Sequence, residues 1–427
     1  MKKVKWLLYV ALVFILMPLV YVYGTEIEYA YETEIKIEPI VFTYEQALQI
    51  AIDNSLVAHD IDNQIRDMYL ELRYMTLELE AQFFNSRPRI AMTEEAITSY
   101  TRRLRNRLLE RERNTGISAD SDIRRTNRAA LHNLNKLERQ IEYLHLQQQH
   151  TKLVVELMLR EAIINLIDIS LHIDVLREEH SLAEENLRRV ILLHELGFVS
   201  TRELREAEHD LVQRYVGLEE FTRSYYIARQ DLNHLLGQPI LQYTKIELER
   251  VLAEIPQDLT PYIDKIILES ITIRQSQLEL DTAVGERWIY TGNNNDIRIS
   301  ESDRRRARTS IYNDPDITRI RNRIALQDNV ERVILGHEQT MRTVEAAIYR
   351  GFADMEGLLA LEAAHGRDLS QAHASLDIVI FNYRLGYYTW LDVAEAHLAV
   401  LQAEHNIEGI HNRMWVLSFM LDNPSLL

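Results

Sequence analysis

The 427-residue chain contains no cysteine. That excludes disulfides, thiolate metal sites and a cysteine nucleophile. Glycine and proline are scarce, at 13 and 8 residues. These residues punctuate turns and break regular elements, so their scarcity points to few turns and long helices. Basic residues are in deficit: 48 Lys and Arg stand against 65 Asp and Glu, a net charge of −17. A chain so acidic gives no reason to expect a nucleic-acid partner. Enzyme signatures are missing too, with no HExxH, GxSxG, P-loop or GxGxxG. The 15 His are scattered; His397, His405 and His411 are spaced too widely for a compact helical metal site and read as surface or interhelical residues. No pair of the many carboxylates stands out as an acid/base couple. No catalytic site, cofactor or metal is expected.

Long hydrophobic runs are absent except at the start. Lys2, Lys3 and Lys5 precede an apolar run from Trp6 to about Tyr23. This suits a signal peptide or an N-terminal membrane anchor over residues 1–24. Either implies export to the cell envelope. Residues 25–42 read as an acidic, extended lead-in.

From Thr43 the pattern turns helical. Thr43-Tyr-Glu-Gln46 has the form of a capped helix start. Helices are expected over 55–84 and 93–113. Residues 122–193 hold no Gly or Pro. Leu131, Leu134, Leu137, Ile141 and Leu144 recur there every three or four residues, the spacing of a buried helical stripe. A return helix over 201–236 places Leu204, Leu211, Tyr215, Leu218, Tyr225, Leu232 and Leu236 near heptad spacing. Residues 241–260 read as a connector. The second half is expected to hold one helix over 261–286, a break at 291–296, a long helix from Pro315 to Leu385 and a last helix to about Leu421. Two helical repeats result, 43–240 and 261–427.

The corners of the two halves match. HELGFVSTRELREAEHDLV, residues 194–212, and YRLGYYTWLDVAEAHLAVL, from Tyr383, align with an offset of 189. Gly197 and Gly386 stand where a helix ends in positive φ. Ser200 with Glu203, and Thr389 with Asp392, have capping-box spacing. Phe198, Tyr387, Tyr388 and Trp390 cluster at the same turns, and aromatics exposed at a turn mark docking surfaces.

Two halves, each with a short helix, a very long helix, a corner of the form L-G-[FY]-x-[ST]-x-x-[DE]-[LV] and a return helix, resemble the TolC family of outer-membrane efflux factors. Glu45-Gln-Ala-Leu48 to Asn54-Ser55 and Ala228-Arg-Gln-Asp-Leu-Asn-His-Leu-Leu-Gly237 also fit that family. The resemblance implies an all-α, internally duplicated bundle of long coiled-coil-like hairpins, closed by three protomers into a trimeric α-barrel. It implies a conduit for efflux or type I export, with an adaptor (membrane fusion protein) and an inner-membrane transporter as partners. The adaptor-docking tip would be Leu196, Gly197, Ser200, Glu203, Leu385, Gly386, Thr389 and Asp392. Glu203 and Asp392 would either line the narrow tip and select cations or serve only as caps.

The family inserts two membrane strands into each half. Residues 81–121 show no alternating run of the roughly ten residues a membrane strand needs. Only Arg287-Trp-Ile-Tyr290 with Asp296-Ile-Arg-Ile299 suggest a short hairpin. The expectation is therefore the tunnel part with little or no β. The alternative is a membrane-tethered helical spacer of the envelope that transports nothing.

Two arginine windows flank the turns opposite the corners. Residues 101–128 hold nine Arg against four acids, and residues 304–323 seven Arg against two, with no Lys in either. Arg102, Arg103, Arg105, Arg107, Arg304, Arg305, Arg306 and Arg308 are candidates for contact with an anionic membrane or wall surface; the competing reading is a solvated face paired with nearby Glu.

Overall fold

The computed structural model describes residues 41–114, 121–237, 245–247, 259–291, 300–309 and 315–427. The expected leader, nearly all of the lead-in and most of the connector lie outside the described residues. So do the turn at 115–120, most of the break at 291–296, the second arm of the suggested hairpin and Asp314.

The elements come in two matching sets. The first is β1 (Val41–Thr43), α1 (Tyr44–Asp53), α2 (Leu56–Phe84), α3 (Glu94–Asn114), α4 (Ser121–Glu195) and α5 (Thr201–Leu236). The second is β2 (Lys245–Glu247), α6 (Leu259–Glu269), α7 (Ile271–Thr291), α8 (Glu301–Thr309), α9 (Pro315–Arg384) and α10 (Trp390–Asp422), followed by a 3-10 turn (Pro424–Leu426). Among the described residues the duplication runs element for element.

The chain divides into two units. The smaller, residues 1–46 with 240–248, contains the parallel pair β1–β2, in which Phe42 faces Ile246. The Thr43 N–H donates to Gln46 Oε1 and the Gln46 N–H to Thr43 Oγ1, the reciprocal cap expected from the sequence.

The larger unit, residues 47–239 with 249–427, holds the long helices. At 1.5 Å per residue the 75 residues of α4 extend about 110 Å. Such a helix is stable only where it buries a stripe. Leu131, Leu134, Leu137 and Ile141 do so, joining Leu72 and Leu79 of α2 and Ile97, Leu104 and Leu108 of α3 in one core. A second core joins Ile263 and Ile266 of α6, Ile348 and Met355 of α9 and Met414 of α10. Helix α9 passes through Gly336, Gly351, Gly357 and Gly366 without a break.

Three expectations are corrected. The helix over 261–286 is two helices, α6 and α7, divided at the buried Ser270, whose carbonyl accepts the Arg274 N–H. This repeats the division of α1 from α2 at Ser55. The strand at Arg287–Tyr290 is the last turn of α7: Trp288 packs on the first core and Arg287 Nη1 donates to Gln327 Oε1 of α9 at 3.0 Å, both from helical positions. The heptad seam of α5 is buried only at its end, at Leu232 and Leu236; Tyr215 is exposed, as are Val212, Val216, Tyr226 and Ile227 on the same helix.

The end of α5 is tied to the start of α2. Asn54 Nδ2 donates to the Leu236 carbonyl at 2.7 Å and to the Ile50 carbonyl at 2.9 Å. Gly237 closes α5 at φ 63°, and a Cβ there would meet Asn54 Cγ at 2.7 Å. Asn54→Ala should cost about 1–2 kcal/mol in urea unfolding, because the Leu236 carbonyl loses its partner.

Candidate docking site at the paired helix corners

The turn from α4 to α5 is built by its sequence. The Gly197 N–H donates to the His194 carbonyl at 3.0 Å, and the Phe198 N–H to the Leu193 carbonyl at 2.9 Å. These two bonds make a Schellman end, with Gly197 in the left-handed region at φ 79°. Ser200 then caps α5. Its N–H and Oγ both donate to Glu203 Oε2, at 2.8 and 2.7 Å, and its Oγ accepts the Glu203 N–H.

The turn from α9 to α10 repeats each bond. The Gly386 N–H donates to Tyr383 and the Tyr387 N–H to Asn382, both at 2.9 Å, with Gly386 at φ 81°. The Thr389 N–H and Oγ1 each donate to Asp392 Oδ2 at 2.6 Å. The shorter acid closes the same box as Glu203.

Both carboxyls are held below their usual range. For Glu203 the Ser200 backbone N–H is the larger cause and the hydroxyl the smaller; for Asp392 the Thr389 hydroxyl leads and its N–H follows. Folded pKa values lower than unfolded ones stabilise the corners above the unfolded values near 4. That contribution disappears as pH falls through the folded values. A carboxyl-carbon titration should therefore place Glu203 and Asp392 below ordinary exposed Glu and Asp, and Ser200→Ala should move Glu203 part of the way back.

The apolar side chains of the corners face outward. In a Schellman end the residue after the glycine often packs back on its helix. Here the two residues at that position, Phe198 and Tyr387, are 77% and 78% exposed. Leu196, Leu385, Tyr388 and Trp390 are exposed as well. The sequence reading missed the apolar residues just before each corner, Leu192 on α4 and Ile378, Phe381 and Tyr383 on α9, all exposed. Their spacing looks like any helical stripe, so nothing local tells that it stays uncovered.

The corners share one end of the larger unit. Arg189 of α4 lies within electrostatic reach of Asp392. Farther along, Gln402 Nε2 donates to Glu179 Oε1 at 3.1 Å, the His172 and His405 rings approach to 5.6 Å, and Asn412 Nδ2 donates to Asp168 Oδ1 at 2.6 Å. Helices α4 and α10 therefore run antiparallel, linking the two copies. His172, packed on Phe221, is held below the usual histidine range chiefly by burial and then by His405.

The arginine windows meet at the other end. Arg128 of α4 lies over Trp288 of α7, Arg287 of α7 bonds Gln327 of α9, and Arg321 Nε of α9 donates to the Ala307 carbonyl of α8 at 2.9 Å. In the first window Arg105 pairs with Glu138 at 2.6 Å and Arg107 with the buried Glu80 at 2.7 Å. Arg103 lies over Tyr100, and Arg102 is exposed. In the second, Arg305, Arg306 and Arg308 are exposed and Arg304 is half-buried.

The arrangement of helices is that of known channels. CusC aligns at a TM-score of 0.57 with 11% identity, over 88% of this chain and 90% of that one. A membrane protein from Pseudomonas aeruginosa aligns at 0.52 with 13% identity, over 86% and 93%. The outer membrane protein VceC from Vibrio cholerae aligns at 0.51 with 12% identity, over 70% and 75%. The fold is that of the TolC-type outer-membrane channels. No family model matches the sequence, and no curated protein matches it. Where the TolC resemblance implies strands between the short and long helices, this chain places α3 and α8. Among the described residues, β1 and β2 are the only strands, and no helix is long and apolar enough to cross a membrane.

Proposed function

We propose that the chain is a conduit subunit of a cell-envelope efflux or type I export system and that its two corners dock an adaptor, which connects it to an inner-membrane transporter. The observation that carries this is the corner itself, built twice with the same bonds, set at one end, and presenting its aromatic side chains to solvent. A structure needing only two helix turns has no use for Phe198, Tyr387 and Trp390 on the outside. The contact residues are Leu196, Gly197, Ser200, Glu203, Leu385, Gly386, Thr389 and Asp392. Each cap acid uses one oxygen in its box and retains the other, which suits a cation-selective lining of the tip.

Assembly as a homotrimer follows from the same logic. Val212, Val216, Tyr226 and Ile227 on α5, and Leu335, Leu361 and Ile378 on α9, are apolar and uncovered in one protomer. Neighbouring copies in a closed ring would cover such stripes. Light scattering of the full chain in mild detergent should give three protomers; a stable monomer would sink the tunnel.

The docking test uses the absence of native cysteine. Phe198→Cys and Tyr387→Cys, each treated in cells with a bifunctional thiol–amine reagent, should capture a protein carrying an adaptor's long helical hairpin. Adducts to copies of this chain alone would count against docking. The second reading, an envelope spacer without transport, is favoured by α3 and α8 standing in place of strands. It would be supported if deleting the chain altered envelope spacing and left export unchanged. We place the chain in the cell envelope, held at the outer membrane as the resemblance implies or anchored through residues 1–24.

A further inference from the structure

We propose that the paired rings of His172 and His405 are an acid-sensitive latch, which holds the two repeats together across the α4–α10 seam while neutral and releases them when a proton enters the pair. The two rings approach to 5.6 Å, and Phe221 of α5 packs against His172 at 4.1 Å. His405 Nδ1 is buried and has no hydrogen-bond partner. A neutral ring can leave that nitrogen unprotonated. An imidazolium carries a proton on both nitrogens, and the one on Nδ1 would find nothing to accept it. Two charged rings side by side would also repel. A cavity of about 400 Å³, lined also by Asp168, His365, Asn406 and Arg413, adjoins both rings, so a proton reaches them without prior unfolding.

Charged groups approach the pair from four helices, and most are already engaged. On α4, Glu179 accepts from Arg214 of α5 through one oxygen and from Gln402 of α10 through the other. Asp168, one turn before His172, accepts from Asn412 at 2.6 Å. His365 of α9 lies 3.4 Å from Asp368. Arg413 of α10 adds a positive charge to the cavity wall. The balance is the one already seen at His172, held below the usual histidine range chiefly by burial and then by His405, with Glu179 opposing. A base held low in the folded state stabilises the seam above its unfolded value of about 6.5 and loses that contribution as pH falls below it.

The joint inside the second repeat is made the other way. His411 Nε2 of α10 lies 2.7 Å from Glu362 Oε1 of α9, and His373 Nε2 of α9 lies 4.0 Å from Glu404 Oε1 of α10. A proton on either histidine makes an ion pair there. Acid therefore tightens α9 on α10 while it loosens α10 from α4, and the repeats part as two intact hairpins. The latch lies within one protomer and serves a conduit and a spacer alike.

The test uses the full chain, whose lack of native cysteine permits paired spin labels. Ser181→Cys with Ala399→Cys spans the seam, and Ser375→Cys with Ala399→Cys spans α9 and α10; all three positions are exposed. Labelled chain is diluted with unlabelled chain, so that distances within one protomer are read. Between pH about 8 and about 5 the seam pair should gain a longer component, reversibly, while the hairpin pair keeps its distance. The double variant His172→Gln with His405→Gln should match the parent at the higher pH and lose the shift on acidification; His411→Gln should keep it. If the double variant differs from the parent at the higher pH, His172→Gln alone is read by the same criterion. Ring-nitrogen titration of the parent, which needs no variant, should find His172 below the ordinary histidine range. The latch is overturned if the seam pair does not move, if it moves equally without the histidine pair, if the hairpin pair lengthens with it, or if His172 titrates as an ordinary histidine.

Discussion

Valine at Gly197 or Gly386 should destabilise the corner it replaces by about 2–3 kcal/mol, read as a lower urea midpoint at unchanged slope, whereas Gly409→Ala should stabilise the protein by up to about 1 kcal/mol. The two corner glycines stand at φ 79° and 81°, and an added Cβ would meet nothing within 4 Å at either. The cost is therefore conformational. A β-branched residue resists the left-handed region far more than glycine does, and the turn cannot form its two closing bonds in another conformation. Gly409 lies inside α10, where an added Cβ also meets open space, so a methyl group there only narrows the unfolded ensemble. The Phe198 and Tyr387 amides should exchange faster in the respective valine variants. Asparagine, which enters the left-handed region more readily, should cost less than valine. If valine is as harmless at both corners as alanine is at Gly409, the corner geometry is wrong.

Arg107→Ala should cost about 3 kcal/mol, while Arg102→Ala, five positions of sequence away in the same basic window, should fall within about 0.5 kcal/mol of the parent. Arg107 Nη1 donates to Glu80 Oε1, and the Glu80 side chain is only 1% exposed. The Tyr100 hydroxyl reaches the same oxygen at 3.3 Å, and Oε2 has no partner. Removing the guanidinium leaves a buried carboxylate with one weak bond. It also strips the cation from the Phe84 ring, 3.8 Å from the ring centre. Because Arg107 is itself partly in water, the effect belongs at the lower end of the range for broken buried pairs. The double variant Glu80→Gln with Arg107→Ala should recover part of the loss, since no buried charge then remains. Equal effects at Arg102 and Arg107 in thermal unfolding would mean that the first window is a solvated face throughout.

The two arginine windows differ in their surroundings. Composition makes them look alike, with Arg-rich stretches of similar charge on either side of a break. What differs is the neighbour: α3 lies beside Glu80 and Glu138, and the Ala307 carbonyl of α8 accepts from Arg321 of α9. No local pattern in either stretch announces that difference.

The sequence by itself determined whatever depends on neighbours in the chain. Scarce Gly and Pro dictated long helices, because nothing interrupts the backbone ladder between residues 122 and 193. Gly197 and Gly386 fixed where the long helices end, since only glycine reaches positive φ without steric cost. Ser200 with Glu203, and Thr389 with Asp392, fixed the restarts, because a capping box closes within four residues. The repeated corner thereby made the duplicated hairpin legible in the sequence. The tertiary structure alone decided what depends on partners distant in sequence. Trp288 belongs to a helix because it packs on a core supplied by α2, α3 and α4, and four residues rich in Trp, Ile and Tyr read equally well as strand. The seam of α5 is left largely open because α4 covers only one side of it, and a heptad pattern says that a stripe exists without saying how much is covered. The bonds that align the two copies, Asp168 with Asn412 and Glu179 with Gln402, join residues more than two hundred positions apart. Periodicity carries no information at that distance; only the packing of α4 against α10 brings those side chains within hydrogen-bonding reach.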